Sequence, residues 1–258
     1  MRIDGKVVVV SGGASGLGLA AARSFALKHG ARVAILDMNA ESGQHAAAEL
    51  GEIALFVPTD VTSEESVRDA VAATIARWGA IHACINCAGI LGPSRVLGKD
   101  RKATPLARFT QIAMVNLVGV FNVMSQCAEQ MARNEPEAGE ERGVIINISS
   151  GAAFEGQVGQ CAYASTKAGV LGLNLPAARE LGEIGIRVNA IAPGLFLTPM
   201  VAQLDPKVLG ALKDQVEAPP RLGDPEEFAH CCAFIIENAY LNGETIRLDA
   251  ASRLRARA

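Results

Sequence analysis

Two hydrophobic rhythms alternate along the chain. Short β-branched or continuously apolar runs occur at Lys6–Ser11, Arg32–Asp37, Ala54–Val57, Ala83–Asn86, Val144–Ile148, Arg187–Ile191 and Thr245–Leu248, most of them ending near Gly, Asp or Asn. Between them, apolar residues recur at helical spacing over Leu17–Leu27, Ala40–Leu50, Ser63–Arg77, Leu106–Arg133, Tyr163–Leu181 and Asp224–Ile236. Runs apolar on both faces belong to strands covered by helices on both sides, so the alternation predicts one α/β domain with a parallel sheet. Ser63 stands as a capping candidate for the third helix, and Asp224-Pro225 reads as a cap followed by a first-turn proline. Three segments break the rhythm: a charged surface loop over Leu91–Pro105, an acidic loop over Asn134–Gly143, and an irregular proline-marked stretch over 194–224, long enough to be a substrate lid. No repeat or linker divides the chain.

Composition narrows this further. Of 258 residues, 50% are hydrophobic but only 4% aromatic, which suits helices packed on a parallel sheet better than a sandwich. A net charge of −3 does not advertise nucleic acid, and no targeting segment or membrane-length apolar run is evident, so a soluble, cytoplasmic protein without a membrane partner is expected. The six cysteines are scattered through a chain too large to need staples, which predicts free thiols in a reducing compartment. Cys84 and Cys87 match C-x-x-C but end a strand instead of opening a helix, and the four histidines show no ligand spacing, so no metal site is expected.

Candidate chemistry begins with Tyr163 and Lys167, four apart on what reads as one helix face. An ammonium about 4 Å from a phenol, at an effective dielectric of about 20, interacts by roughly 4 kcal/mol, enough to lower the phenol by roughly 3 units from about 10. Alone, the pair also reads as a packed tyrosine with a solvated lysine one turn on. Ser11-Gly-Gly-Ala-Ser-Gly-Leu-Gly18 lies between the first strand and helix, where glycines admit a pyrophosphate to a helix N-terminus. Asp37 ends the second strand, placed to accept from both ribose hydroxyls and to repel a 2′-phosphate. With Met38-Asn39 beside it and no arginine or lysine in the loop, NAD is favoured over NADP.

Taken in order, the Gly-rich loop, Asp60-Val61, Asn86-Cys-Ala-Gly89, Asn116, Ser150, Tyr163-x-x-x-Lys167 and Pro193-Gly194 resemble the short-chain dehydrogenase/reductase family essentially end to end. The resemblance implies a Rossmann-type doubly wound parallel sheet of about seven strands, helices on both faces, in a single domain. It implies a catalytic tetrad of Asn116, Ser150, Tyr163 and Lys167, with Tyr163 as general acid/base and Lys167 on the nicotinamide ribose. Ser149 and Ser150 are adjacent, and the family's serine, thirteen before its tyrosine, is Ser150. Asn116, mid-helix among apolar neighbours, would distort that helix for a proton relay. Cofactor contacts are implied for Ser11, Gly12, Ser15, Gly16, Leu17, Gly18, Asp37, Asp60, Val61, Asn86, Cys87, Ala88, Gly89, Tyr163, Lys167, Pro193, Gly194 and Thr198.

Ala153–Gln160, Arg133–Pro136, Ala192–Phe196, Arg221–Pro225 and Leu241–Glu244 look like the type II 3-hydroxyacyl-CoA dehydrogenase branch, also described as a 17β-hydroxysteroid dehydrogenase. This implies NAD-dependent oxidation of a short or branched 3-hydroxyacyl-CoA in fatty acid metabolism, with hydroxysteroids as further substrates, by a homotetramer. Gln157, Gln160, Leu195 and Phe196 become substrate candidates; Lys99, Arg101 and Lys102 read either as coenzyme A phosphate contacts or as a solvated loop. Alternatives are a 3-oxoacyl-carrier-protein reductase, another secondary-alcohol dehydrogenase, or an NAD-sensing binding protein. The sequence departs from the family at Cys87, where a second asparagine is common, and at Ala250-Ala251, where glycines often follow Leu-Asp; the tail Arg253–Ala258 fits no pattern.

Overall fold

The computed structural model describes residues 1–92, 94–137 and 139–256, which leaves Pro93 of the first loop, Ala138 of the acidic loop and the last two residues of the tail outside it. Seven strands, β1 (Val7–Ser11), β2 (Arg32–Asp37), β3 (Ala54–Pro58), β4 (Ala83–Asn86), β5 (Gly143–Ile148), β6 (Ile186–Pro193) and β7 (Thr245–Leu248), form one sheet in the order β3-β2-β1-β4-β5-β6-β7. Every pairing is parallel. The doubly wound architecture is therefore as the sequence predicts.

Strand periodicity divides the core in two. Val8, Val10, Val33, Ile35, Ala83, Ile85, Val144 and Ile146 point to one face, where they meet Ala21, Ala22 and Phe25 of α1 (Gly16–His29) and Phe228, Ala229 and Cys232 of α9 (Pro225–Glu237). The intervening Val9, Ala34, Leu36, Cys84 and Ile145 point to the other. There they meet α3 (Glu64–Trp78), α5 (Gly119–Met131) and Ala178 of α6 (Cys161–Gly182). Alternation with period two, buried on both sides, explains why the strands read as unbroken apolar runs. A further helix, α2 (Ala40–Leu50), follows β2. Ser63 and Asp224 cap α3 and α9 as predicted, Asp224 in a reciprocal capping box with Glu227.

Three expectations are corrected. The predicted helix from Leu106 is not uniform: α4 (Leu106–Ala113) passes through a π-helical segment, Met114–Val118, before α5. By length and composition, Leu106–Met131 is also long and apolar enough to cross a membrane, with a mean hydropathy of 1.3 over its apolar window, although polar residues spaced along it leave no unbroken apolar run. The 194–224 stretch is not wholly irregular, since Pro199 and Pro206 each open a short helix, α7 (Pro199–Ala202) and α8 (Pro206–Lys213). Proline in the first turn costs no hydrogen bond, so these residues start helices where they were read as breaking them.

Candidate active site

Strand order reverses between β1 and β4, leaving a crevice at their carboxyl ends. The loops leaving the two strands touch there. A Cβ added to Gly12 would stand 2.7 Å from the Ala88 nitrogen, and one on Gly18 would fall on the Gly12 carbonyl oxygen, so this close approach requires glycine. The loop delivers α1 with a bare end: Ser15 at its N-cap makes no side-chain capping bond, and the first turn carries no acid. Orphan N–H groups at the positive end of a helix dipole are an anion site suited to a pyrophosphate. Asp37 accepts from the Asn39 and Ala14 nitrogens at 3.0 and 3.1 Å, one per carboxylate oxygen, which leaves each oxygen a lone pair for a ribose hydroxyl. These residues fit an NAD-type dinucleotide. Thr198 belongs to the same rim, since its methyl lies 3.8 Å from where a Gly16 Cβ would be.

Several implied cofactor residues contribute differently than their side chains suggest. Ser11 and Asn86 are buried, and the serine hydroxyl donates to the Asn86 Oδ1 at 3.3 Å while Asn86 donates to Asn147 at 2.8 Å. Their side chains tie strand ends together, and only their backbones remain for a ligand. Asp60 holds a local turn, one oxygen accepting from the Thr62 nitrogen and hydroxyl. Val61 is buried and packs against Gly119. Cys87 is one of six free thiols, and burial pushes it up to about 12, so it is a packed neutral thiol beside the charge of Lys167. Gly194, after Pro193 at the end of β6, lies against Asp249, where a Cβ would approach to 2.7 Å.

The four implied catalytic residues converge on the same crevice. Ser149 turns inward, its hydroxyl donating to the Lys167 carbonyl at 2.8 Å, whereas Ser150 sits at the N-cap of a short 3-10 turn, Gly151–Ala153, and hydrogen-bonds with Tyr163. That leaves Ser150, of the two serines, beside Tyr163. Tyr163 and Lys167 share one face of α6, but the ammonium lies 5.9 Å from the phenol ring centroid and donates to the Ile148 carbonyl at 2.7 Å. The expectation that lysine lowers the phenol is therefore not met: burial pushes Tyr163 above its ordinary value, and only the Ser150 hydrogen bond pulls it back. Lys167 is itself pushed down to about 8 by burial.

Asn116 is fully buried in the π segment, and its amide clamps one backbone residue. Its Oδ1 accepts from the Ile90 nitrogen at 2.7 Å while its Nδ2 donates to the Ile90 carbonyl at 2.9 Å, with the Thr166 hydroxyl at 3.4 Å. A Cβ on Gly89 would stand 3.4 Å from both the Asn116 Oδ1 and the Lys167 Nζ, so the 86–89 turn is seated between two tetrad members. A π segment is a frequent mark of a functional site, and here it aims an asparagine that an α-helix would turn elsewhere. Ile90 and Thr166 carried no sequence signal.

The substrate candidates divide. Gln157 and Gln160 bond each other, the Gln160 Nε2 reaching the Gln157 Oε1 at 3.1 Å, on the loop joining Ser150 to Tyr163. Phe196 is buried and packs edge-on against Phe228 of α9 at the base of the 194–224 segment, and it also lines the cavity reached by Leu195. Leu195 lines a cavity of about 170 Å³ with Val216, Pro219 and Leu248, and none of the four catalytic residues belongs to that lining. The tail, unreadable in sequence, folds back on the Ser150–Tyr163 loop: Val158 N donates to the Ala256 carbonyl at 3.0 Å and Gln157 Nε2 to the Arg255 carbonyl at 2.9 Å. Beneath it, Arg247 grips Glu155 through both guanidinium nitrogens at 2.7 and 3.0 Å and stacks 4.7 Å from the Phe154 ring centroid. Lys99, Arg101 and Lys102 stay exposed around a turn closed by Gly98 N and the Lys102 carbonyl at 2.9 Å.

Comparison with known proteins converges on one family. Residues 6–209 match the model of the short chain dehydrogenases. The chain is 48% identical, over 98% of its length and 97% of the relative's, to human (Homo sapiens) 3-hydroxyacyl-CoA dehydrogenase type-2. The crystal structure of 3-hydroxyacyl-CoA dehydrogenase type-2 from Mycobacterium avium superposes with a TM-score of 0.94 at 40% identity, covering 99% of this chain and 98% of that one. A more distant relative is ipsdienol dehydrogenase of Ips pini, 34% identical over 98% of this chain and 99% of its own.

Proposed function

The chain belongs to the short chain dehydrogenase family, and from that membership we propose that it oxidises the secondary 3-hydroxyl of a short or branched 3-hydroxyacyl-CoA with NAD. The observation that carries the reading is the near-full-length likeness to relatives named for that substrate, at 48% identity for the human protein. The geometry supplies the chemistry. Ser150 donates a hydrogen bond to the substrate oxygen, and Tyr163, as phenolate, takes the hydroxyl proton. NAD, when bound, supplies the acceptor for the hydride that leaves the carbinol carbon. Asp37 would hold its adenosine ribose, the open end of α1 its pyrophosphate, and Lys167 its second ribose. Asn116 keeps the 89–90 backbone fixed against Lys167 while this happens.

Further parts of the reading rest on separate observations. An apolar stripe of Leu106, Phe109, Met114, Val118 and Phe121 is exposed along α4 and α5, which supports self-association as a homotetramer. Six free thiols support a reducing, cytoplasmic setting, and a hydroxyacyl-CoA substrate would belong to fatty acid metabolism. Hydroxysteroids are proposed as secondary substrates. A carrier-protein reductase using NADPH is disfavoured by Asp37, and a pure NAD sensor has no use for the Ser150–Tyr163 pair. The deciding experiment is a panel of 3-hydroxyacyl-CoAs, hydroxysteroids and simple alcohols, each with NAD and with NADP, followed by nicotinamide reduction. The reading predicts fastest turnover with a hydroxyacyl-CoA and NAD. Faster turnover with NADP, or binding of NAD with no turnover of any alcohol, overturns it.

A further inference from the structure

We infer that Ser94 is a positioning residue for Tyr163, capping from a distant loop the helix that carries Tyr163 and Lys167. That helix cannot cap itself: Gln160 at its N-cap position makes no side-chain capping bond, its amide being spent on Gln157. The first N–H groups of α6 would then be orphaned next to the catalytic phenol. Ser94, 68 residues upstream of the group it caps, supplies what is missing. Its hydroxyl accepts from the Ala162 nitrogen at 3.0 Å and its carbonyl from the Cys161 nitrogen at 3.2 Å, while its own N–H donates to the Gly159 carbonyl at 2.7 Å. Ser94 is only 4% exposed, so water cannot stand in for its oxygen.

The placement gives the contact its meaning. Ala162 immediately precedes Tyr163, so the first turn of α6, and with it the phenol facing Ser150, is held by a residue outside both the helix and the loop before it. Four residues upstream of Ser94, Ile90 is clamped by Asn116. The short stretch between them is thus tied at one end to one tetrad member and at the other to the turn bearing a second. Loss of the cap loosens Tyr163 and leaves the pyrophosphate cradle on α1 untouched.

The inference rests on Tyr163 as the acid/base, and one of its tests needs no turnover. Ser94→Ala deletes the acceptor, Ser94→Cys keeps most of the volume but only a weak acceptor, and Ser94→Thr retains the hydroxyl. In the protein without cofactor, amide hydrogen exchange at Ala162 should quicken about tenfold in the Ala and Cys variants and stay slow in the Thr variant. With the best alcohol of the panel, kcat should fall about tenfold in the first two, NAD affinity should hold, and Thr should restore kcat. Unchanged exchange at Ala162 in both the Ala and Cys variants overturns the cap, and quickened exchange with an unchanged kcat overturns the positioning role. Should the wild-type protein oxidise no hydroxyacyl-CoA, the substrate reading falls alone, because the exchange measurement still decides the cap.

Discussion

Tyr163 is the residue on which the chemistry turns, and its surroundings pull it two ways. Burial holds the proton on the phenol, and the Ser150 hydrogen bond favours releasing it. Oxidation needs the phenolate, whose fraction below the phenol's pKa grows about tenfold per pH unit. For oxidation, kcat/KM should therefore climb with pH from mildly acidic conditions. Lys167, pushed down to about 8 by burial, loses its charge as pH passes that value, and with it the cation proposed to hold the second ribose of NAD, so the climb should flatten above it. Steady-state rates across that range check this, and a profile that falls with rising pH contradicts it. The sequence made Tyr163 and Lys167 legible because a spacing of four puts them on one helix face, and Ser150 because the family it resembles carries its serine thirteen before its tyrosine. It misjudged how lysine acts, since the carbonyl that takes its ammonium belongs to Ile148, at the end of a different element. The departure at Ala250-Ala251 also acquires a physical meaning. Both residues stand at positive φ, 48° and 59°, where glycine costs nothing and alanine is strained.

Elements were legible wherever local chemistry decided them. Buried parallel strands leave continuous apolar runs, and Ser63 and Asp224 mark helix starts by hydrogen-bonding the first turn. The π segment was foreshadowed only by an asparagine in an apolar helix, and the short helices after Thr198 were hidden by their prolines. The tail gave no signal because its partners are non-local, Gln157 and Arg255 being 98 residues apart, and the same holds for β7 beside it, where Glu155 and Arg247 are 92 residues apart. Their side chains are 27% and 23% exposed, so the pair adds little to global stability, of the order of 0–1 kcal/mol for such ion pairs, yet it orders the loop carrying Gln157 and Gln160. Glu155→Gln should leave the melting temperature nearly unchanged. It should also raise KM for the acyl substrate about fivefold, the equivalent of about 1 kcal/mol. Steady-state kinetics beside a thermal melt checks both, and an unchanged KM would show that the Glu155–Arg247 pair does not order the substrate loop.

At the scale of the whole molecule, the single α/β domain and its doubly wound sheet followed from the alternation of strand and helix. The crevice at the reversal of strand order followed from connectivity that no local window contains. The proposed self-association would use the surface of one helix. The stripe of exposed apolar residues from Leu106 to Phe121 runs through the π segment, which carries Met114 and Val118. Phe121→Glu puts a charge at the end of that stripe and should move sedimentation toward smaller species while helix content stays constant. Unaltered sedimentation would remove the stripe from the assembly. The account as a whole stands on a phenol that moves a proton in a site that binds dinucleotide without it. The measurement that bears on this most directly is Tyr163→Phe, assayed for NAD binding by calorimetry and for NADH formation from a 3-hydroxyacyl-CoA. The account predicts NAD affinity close to wild type and turnover lower by about a thousandfold, within the range for loss of a general acid/base. Turnover within a few-fold of wild type would contradict it.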